Sequence, residues 1–168
     1  MKTLIVYGTK HGITEKCSNF LKDKVKGEVV TINIKKENMP DITEFNNIVI
    51  GGSIYMGQIQ KEVKNFCMEN INALKEKRVG LFICGLNEKN VESQLNNAFP
   101  KELLTNAVAK ECFGGEFIFK NMNFFERFIV KKVAKTHKDI SKISEENINK
   151  FVQLICLLYT SPSPRDTR

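Results

Sequence analysis

Between residues 9 and 14 the chain reads Thr-Lys-His-Gly-Ile-Thr, with two hydroxyls, an ammonium, an imidazole and a glycine in one short run. The chemistry these residues suit is the holding of an anion. Gly8 and Gly12 let the backbone curl closely, Thr9 and Thr14 offer hydroxyl donors, and Lys10 adds positive charge. His11 and Ile13 complete the loop. Leu4 to Tyr7 is an apolar run directly before it, and Ile13, Cys17, Phe20, Leu21 and Val25 follow at helical spacing. A strand, a small-residue loop and a helix start aim free backbone N–H groups and the positive end of a helix dipole at one place. Two better-known phosphate motifs do not fit. A Walker loop needs Lys-Ser/Thr after its second glycine, whereas Gly12 is followed by Ile13 and Thr14, and no G-x-G-x-x-G is present. The same residues would also serve as a plain strand-to-helix turn capped by Thr9 or Thr14.

The elements that must position this loop alternate. Strands are expected at 2–7, 28–34, 47–52, 78–85 and 111–119, the last broken by two glycines. Helices are expected from the loop to Gly27, as one stripe from Gln60 to Leu74, over 88–98, over 123–135, and after an N-cap at Ser144 with Glu145 and Glu146 in its first turn. This alternation predicts an α/β fold with one parallel sheet wrapped by helices on both faces. Ligands in such sheets lie at the carboxyl ends of the strands, near the switch in strand order. Three loops therefore matter, at 8–14, 53–59 and 85–89.

Bulk properties narrow the company the protein keeps. A chain of 168 residues with 42% hydrophobic content is one ordinary domain. No apolar run approaches the roughly 20 residues a membrane span needs. The opening "MKTLIVYGT" becomes structured too early for a secretory signal. Five cysteines at 17, 67, 84, 112 and 156 have no C-x-x-C spacing, so reduced and mostly buried thiols in a cytoplasmic protein are expected. A zinc site has little support from two histidines and scattered cysteines. The net charge of +7 points to an acidic ligand, protein, membrane surface or nucleic acid. Residues 156–168, rich in Ser, Pro and Arg, differ from the Lys-, Asn- and Ile-rich body and are expected to be a non-native or disordered tail, leaving 1–155 as the domain.

The stretch "IVYGTKHGITEKCSNFL" resembles the FMN-phosphate signature of the flavodoxins, with Val6, Tyr7, Thr9, Gly12, Thr14 and Leu21 in matching places and Ser18 where alanine is usual. Together with "NIVIGGSIYMGQIQKEVKNFC", the body from 1 to about 155 is similar to the flavodoxin-like, menaquinone-dependent protoporphyrinogen oxidases. The resemblance implies a five-stranded parallel sheet in the order 2-1-3-4-5 and a bound FMN, its phosphate on residues 9–14. It implies a second loop in which Ser53 bonds the ribityl chain or phosphate, and in which Ile54 and Tyr55 or Met56 lie along the flavin. Gly57 becomes the candidate for a peptide that turns to accept a hydrogen bond from reduced N5, because glycine tolerates either orientation. A turn with an exposed tyrosine is the plainer account of the same residues. Gly85, Leu86 and Asn87 would face the other side of the ring and its pyrimidine edge. Leu86 stands about where ordinary flavodoxins often stack a tyrosine, and the chain has no tryptophan. A less sandwiched flavin would leave one face open to a flat substrate.

The resemblance also implies an insertion after the fifth strand, at roughly 120–142. Phe124, Phe125, Phe128, Ile129 and Val133 share a helical face there. Lys120, Arg127, Lys131, Lys132, Lys135 and Lys138 stand against Glu126, a net of +5. The segment reads either as a helix packed on the sheet with a solvated basic side, or as a docking surface for anionic lipid or porphyrin propionates. Nucleic acid fits less well, because no stacking platform accompanies the charge. The implied reaction removes hydrogens from protoporphyrinogen in three two-electron steps and passes the electrons to a quinone. The flavin carries that chemistry and no dedicated acid or base stands out. A flavodoxin-type electron carrier is the rival, although such carriers are usually acidic. A module that kept the fold and lost the flavin is another.

Overall fold

The structure is a computed structural model, and it describes residues 1–85, 90–117 and 140–156. Strands β1 (Lys2–Tyr7), β2 (Glu28–Asn33), β3 (Asn47–Ser53), β4 (Arg78–Cys84) and β5 (Ala109–Cys112) form one sheet in the order β2-β1-β3-β4-β5. Every pairing is parallel. This is the expected order, with the switch point between β1 and β3. The apolar runs produce it because a parallel strand covered on both faces buries every side chain it carries. All residues of β3 are buried.

Side chains alternate between two cores, as the period of a strand requires. Leu4, Val6, Ile48, Ile50, Leu81 and Ile83 point into one. There they meet α2 (Lys61–Glu69), α3 (Ile71–Leu74), α4 (Val91–Ala98) and α5 (Lys101–Asn106). Ile5, Val49, Phe82 and Cys84 point into the other, against α1 (Ile13–Lys24) and α6 (Glu145–Cys156). In the second core Phe82 stacks on Phe113 with ring centroids 4.7 Å apart, and Phe151 meets Phe113 edge-on at 5.2 Å. The Phe82 ring lies where a Cβ on Gly51 would be, so the absent side chain in β3 makes room for the largest one in β4.

Several elements differ from expectation. The stripe from Gln60 to Leu74 is two helices, because the chain leaves helical geometry at Asn70, whose φ is −117° and ψ 16°. The helix expected at 88–98 is described from Val91, and α5 follows Pro100 where none was expected. The fifth strand does not run through its glycines. It ends at Cys112, and a new strand β6 (Gly114–Phe117) pairs antiparallel with β7 (Ile140–Ile143), apart from the main sheet. The break is at Gly114, where φ is +91°. A Cβ there would collide with the carbonyl of Lys142. Ser144 caps α6 as expected, its Oγ accepting from Asn147 N at 3.2 Å. The expected helix at 123–135 lies outside the described residues, as does the tail beyond Cys156, the last residue of α6.

The β6–β7 pair is fastened to the sheet at its carboxyl end. Gly85 N donates to Gly114 O at 2.8 Å, and Ser144 N donates to Phe113 O at 2.8 Å. Asn147 Nδ2 donates to Cys112 O at 2.9 Å. Gly114→Ala should lower stability by at least ~2 kcal/mol, from a left-handed alanine and its overlap with a backbone carbonyl. Thermal unfolding of the variant against the parent checks this, and an unchanged midpoint would mean that the turn adapts.

Candidate functional site

The first loop is built around two local devices. Thr9 Oγ accepts from Gly12 N at 2.8 Å, which folds the loop back on itself and leaves the hydroxyl proton of Thr9 available. Gly12 stands at the N-cap of α1 with φ 94°, in the left-handed region that glycine enters without strain, and no side chain caps the helix. The first intrahelical bond runs from Lys16 N to Gly12 O at 3.1 Å, so the N–H groups of Ile13, Thr14 and Glu15 precede it.

Thr14 is wholly buried, and its Oγ has no hydrogen-bond partner. It lies beside the Cys84 thiol, a poor acceptor. The Cys17 thiol at 3.7 Å, together with burial, holds the Cys84 thiol well above its ordinary range. A buried hydroxyl without a partner costs about 1–3 kcal/mol. An anion resting on the start of α1 would supply the missing acceptor. The expected phosphate site passes this test on Thr9, Gly12, Ile13 and Thr14. At the next residue, Tyr7 donates its hydroxyl to Glu15 Oε1 at 2.9 Å. Burial and the neighbouring Glu15 carboxylate push the Tyr7 phenol up, which keeps it a proton donor.

The second loop is a tight hairpin. Tyr55 and Gln58 exchange backbone bonds of 2.9 and 3.0 Å across Met56 and Gly57, whose φ values are 51° and 79°. Positive φ at both central residues makes this a type I′ turn. Met56 is the one non-glycine at positive φ among the described residues, and it is 67% exposed at the tip. Tyr55 is half-buried, and Lys10 Nζ sits 4.5 Å above its ring. That contact joins the first two loops and gives the Lys10 charge a resting place on an aromatic face. Gly57 O accepts from Asn97 Nδ2 of α4 at 2.9 Å.

The base of this hairpin is fixed by a residue that carried no sequence signal. Gln60 accepts at Oε1 from Ser53 N at 3.1 Å and donates from Nε2 to Ser53 Oγ at 2.8 Å. Ser53 thus has one lone pair engaged and its proton available. Ile54 N donates to Cys84 O at 2.8 Å, and Gly85 lies against the Ile54 side chain. The structure therefore brings the described parts of all the expected loops to one end of the sheet. Leu86 and Asn87 lie outside the described residues, as do Phe124, Phe125, Arg127, Phe128, Lys131, Lys132 and Lys135. Gln60 and Asn97 were missed because each acts through a tertiary contact, with Ser53 in one case and Gly57 in the other.

Several known proteins are similar to this chain in sequence or in fold. The chain is 21% identical over 179 residues to the protoporphyrinogen IX dehydrogenase [quinone] of Escherichia coli strain K12, covering 97% of this chain and 99% of that protein. In shape it is similar to a flavodoxin from the domain Archaea, with a TM-score of 0.57 at 12% identity over 92% of this chain and 94% of that one. It is also similar to the rubredoxin oxygen:oxidoreductase of Desulfovibrio gigas, with a TM-score of 0.56 at 13% identity, covering 95% of this chain and only 37% of that one. Among the described residues no helix is long and apolar enough to cross a membrane. The family description "Flavodoxin domain" matches residues 4–144, a span that contains all three loops, and the chain belongs to that family.

Proposed function

We propose that the protein is an FMN-binding oxidoreductase of flavodoxin type that oxidises protoporphyrinogen IX with a quinone as acceptor. The observation that carries the cofactor is the buried, unpartnered hydroxyl of Thr14 behind the left-handed Gly12. The neighbour of that hydroxyl inside the protein is the Cys84 thiol, a poor acceptor, so an anion at the helix start would be the stronger partner. Ile13, Thr14 and Glu15 offer N–H groups at the same place, Thr9 adds a hydroxyl, and Lys10 adds charge. Ser53, Ile54, Tyr55 and Gly85 line the way from that loop along the carboxyl end of the sheet. When bound, FMN would accept hydrogens from a reduced donor and pass electrons on. The chain's own part is to hold the phosphate, to fix the ring against the hairpin at Met56–Gly57, and to leave a face accessible.

The substrate reading is supported by the full-length likeness to the Escherichia coli enzyme and by the positive charge of the chain, a net +5 of it between residues 120 and 138. Protoporphyrinogen is flat and apolar across its middle and anionic at its propionates. A basic segment carrying Phe124, Phe125 and Phe128 with Arg127, Lys131, Lys132 and Lys135 suits such a molecule, or an anionic membrane surface that holds the quinone. An electron carrier without its own substrate is the second reading, favoured by the likeness to the archaeal flavodoxin over nearly the whole of both chains.

Two measurements test this. Thr9→Ala with Thr14→Ala removes two hydroxyls, each worth ~1.5–3 kcal/mol to a charged acceptor. FMN affinity, read by quenching of flavin fluorescence, should fall at least ~100-fold while circular dichroism stays unchanged. Wild-type affinity in the double variant would place the phosphate elsewhere. For the reaction, the FMN-loaded protein should form protoporphyrin anaerobically only when a menaquinone analogue is present. Lys131→Gln with Lys132→Gln should raise KM more than it lowers kcat. Turnover no faster than free FMN would end the oxidase reading and leave the carrier.

A further inference from the structure

The peptide between Gly57 and Gln58 is held from both sides. Its N–H donates to Tyr55 O at 3.0 Å, and its carbonyl accepts from Asn97 Nδ2 at 2.9 Å. The turn it belongs to is also strained, because Met56 occupies the left-handed region at φ 51° with its side chain largely in solvent. A turn of this kind persists only where neighbouring bonds hold it. One of those bonds comes from α4, the helix that follows the third loop and lies otherwise outside the expected site.

We propose that Asn97 is a positioning residue that sets how readily the Gly57 carbonyl turns toward a bound flavin; this rests on the FMN reading above. The physical reason is the hydrogen-bonding character of flavin N5. Oxidised N5 carries no hydrogen and can only accept, so a carbonyl gains nothing by facing it. Reduced N5 carries a hydrogen and donates, so a carbonyl facing it is stabilised. The bond from Asn97 therefore competes with the reduced state and not with the oxidised one. Holding Gly57 O against α4 favours the oxidised flavin. Loss of the Asn97 amide should free the carbonyl and favour reduction.

Asn97→Ala tests this with little risk to folding, since the residue is exposed on a helix and alanine is the better helix former. The change is neutral for neutral, so the charge around the site does not move. Dissociation constants for oxidised and reduced FMN are measured anaerobically on wild type, on Asn97→Ala, and on Asn96→Ala as a control at the neighbouring exposed position. In Asn97→Ala the ratio should shift toward tighter binding of reduced FMN by about 2- to 10-fold, the worth of one ordinary hydrogen bond. The midpoint potential should rise with it. Without flavin, the Gln58 amide should exchange its hydrogen faster in Asn97→Ala than in wild type. An unchanged ratio in a variant that binds FMN overturns the role of Asn97 and leaves the cofactor reading standing. An equal shift in Asn96→Ala, or unchanged exchange at Gln58, overturns it as well. Failure of the wild-type protein to bind FMN at all removes the cofactor reading and this one together.

Discussion

The site depends on the carbonyl-end geometry of β1 and β3, and Gln60 fixes much of it. Its amide accepts from the N–H of Ser53 and donates to its hydroxyl oxygen, so the last residue of β3 and the residue just before α2 are tied across the hairpin between them. The amide fits because two neighbours have no side chain. A Cβ on Gly52 would come within 2.7 Å of Gln60 Oε1, and one on Gly8 within 3.1 Å. Gly8 N in turn donates to Gly51 O at 3.1 Å, which joins the start of the first loop to β3. A single glutamine thus sets the spacing between the loop that would hold a phosphate and the hairpin that would meet a ring. It can do so only because glycine occupies both sides of it.

Two-sided burial explains why the chemistry gathers at one end of the sheet. With apolar helices on both faces, β1, β3 and β4 have no exposed surface along their length where a polar ligand could bind. Polar groups become available only where the strands stop, and all the parallel strands stop on the same side. The branch at Gly114 adds to that end. By turning the chain out of β5 into β6, it fastens Gly114 to Gly85 through one backbone bond of 2.8 Å.

The interior near the first loop also shows what the fold tolerates. Cys17, Cys84 and Thr14 form a buried patch of weak hydrogen-bonding groups directly beneath the helix start. Thiols tolerate burial well, and the Cys17 thiol and burial hold the Cys84 thiol above its ordinary range, so it stays protonated and packs as a small apolar group. A threonine hydroxyl without a partner is a different matter, because its desolvation is not returned by any bond within the protein. This asymmetry makes Thr14, rather than the nearby cysteines, the member of the patch that an anion at the helix start would complete.

Much of this was legible in the sequence, for definite reasons. The runs Leu4–Tyr7, Ile48–Ile50 and Leu81–Cys84 could only be strands covered on both faces, and their alternation with helical stripes dictated a parallel sheet. The first loop declared itself because its glycine and threonines act through the backbone next to them. Local chemistry also announced the cap at Ser144. What the sequence left open are contacts between residues distant in the chain. The split at Asn70, the branch at Gly114, the grip of Gln60 on Ser53 and the bond from Asn97 to Gly57 each require knowing what lies opposite once the sheet has formed. Periodicity reports which face of an element is buried and is silent about the partner across the gap. The sequence by itself therefore determined the layers and the place of the site, whereas the tertiary structure decided which side chains hold the loops in position, because those bonds exist only after distant strand ends have been brought together.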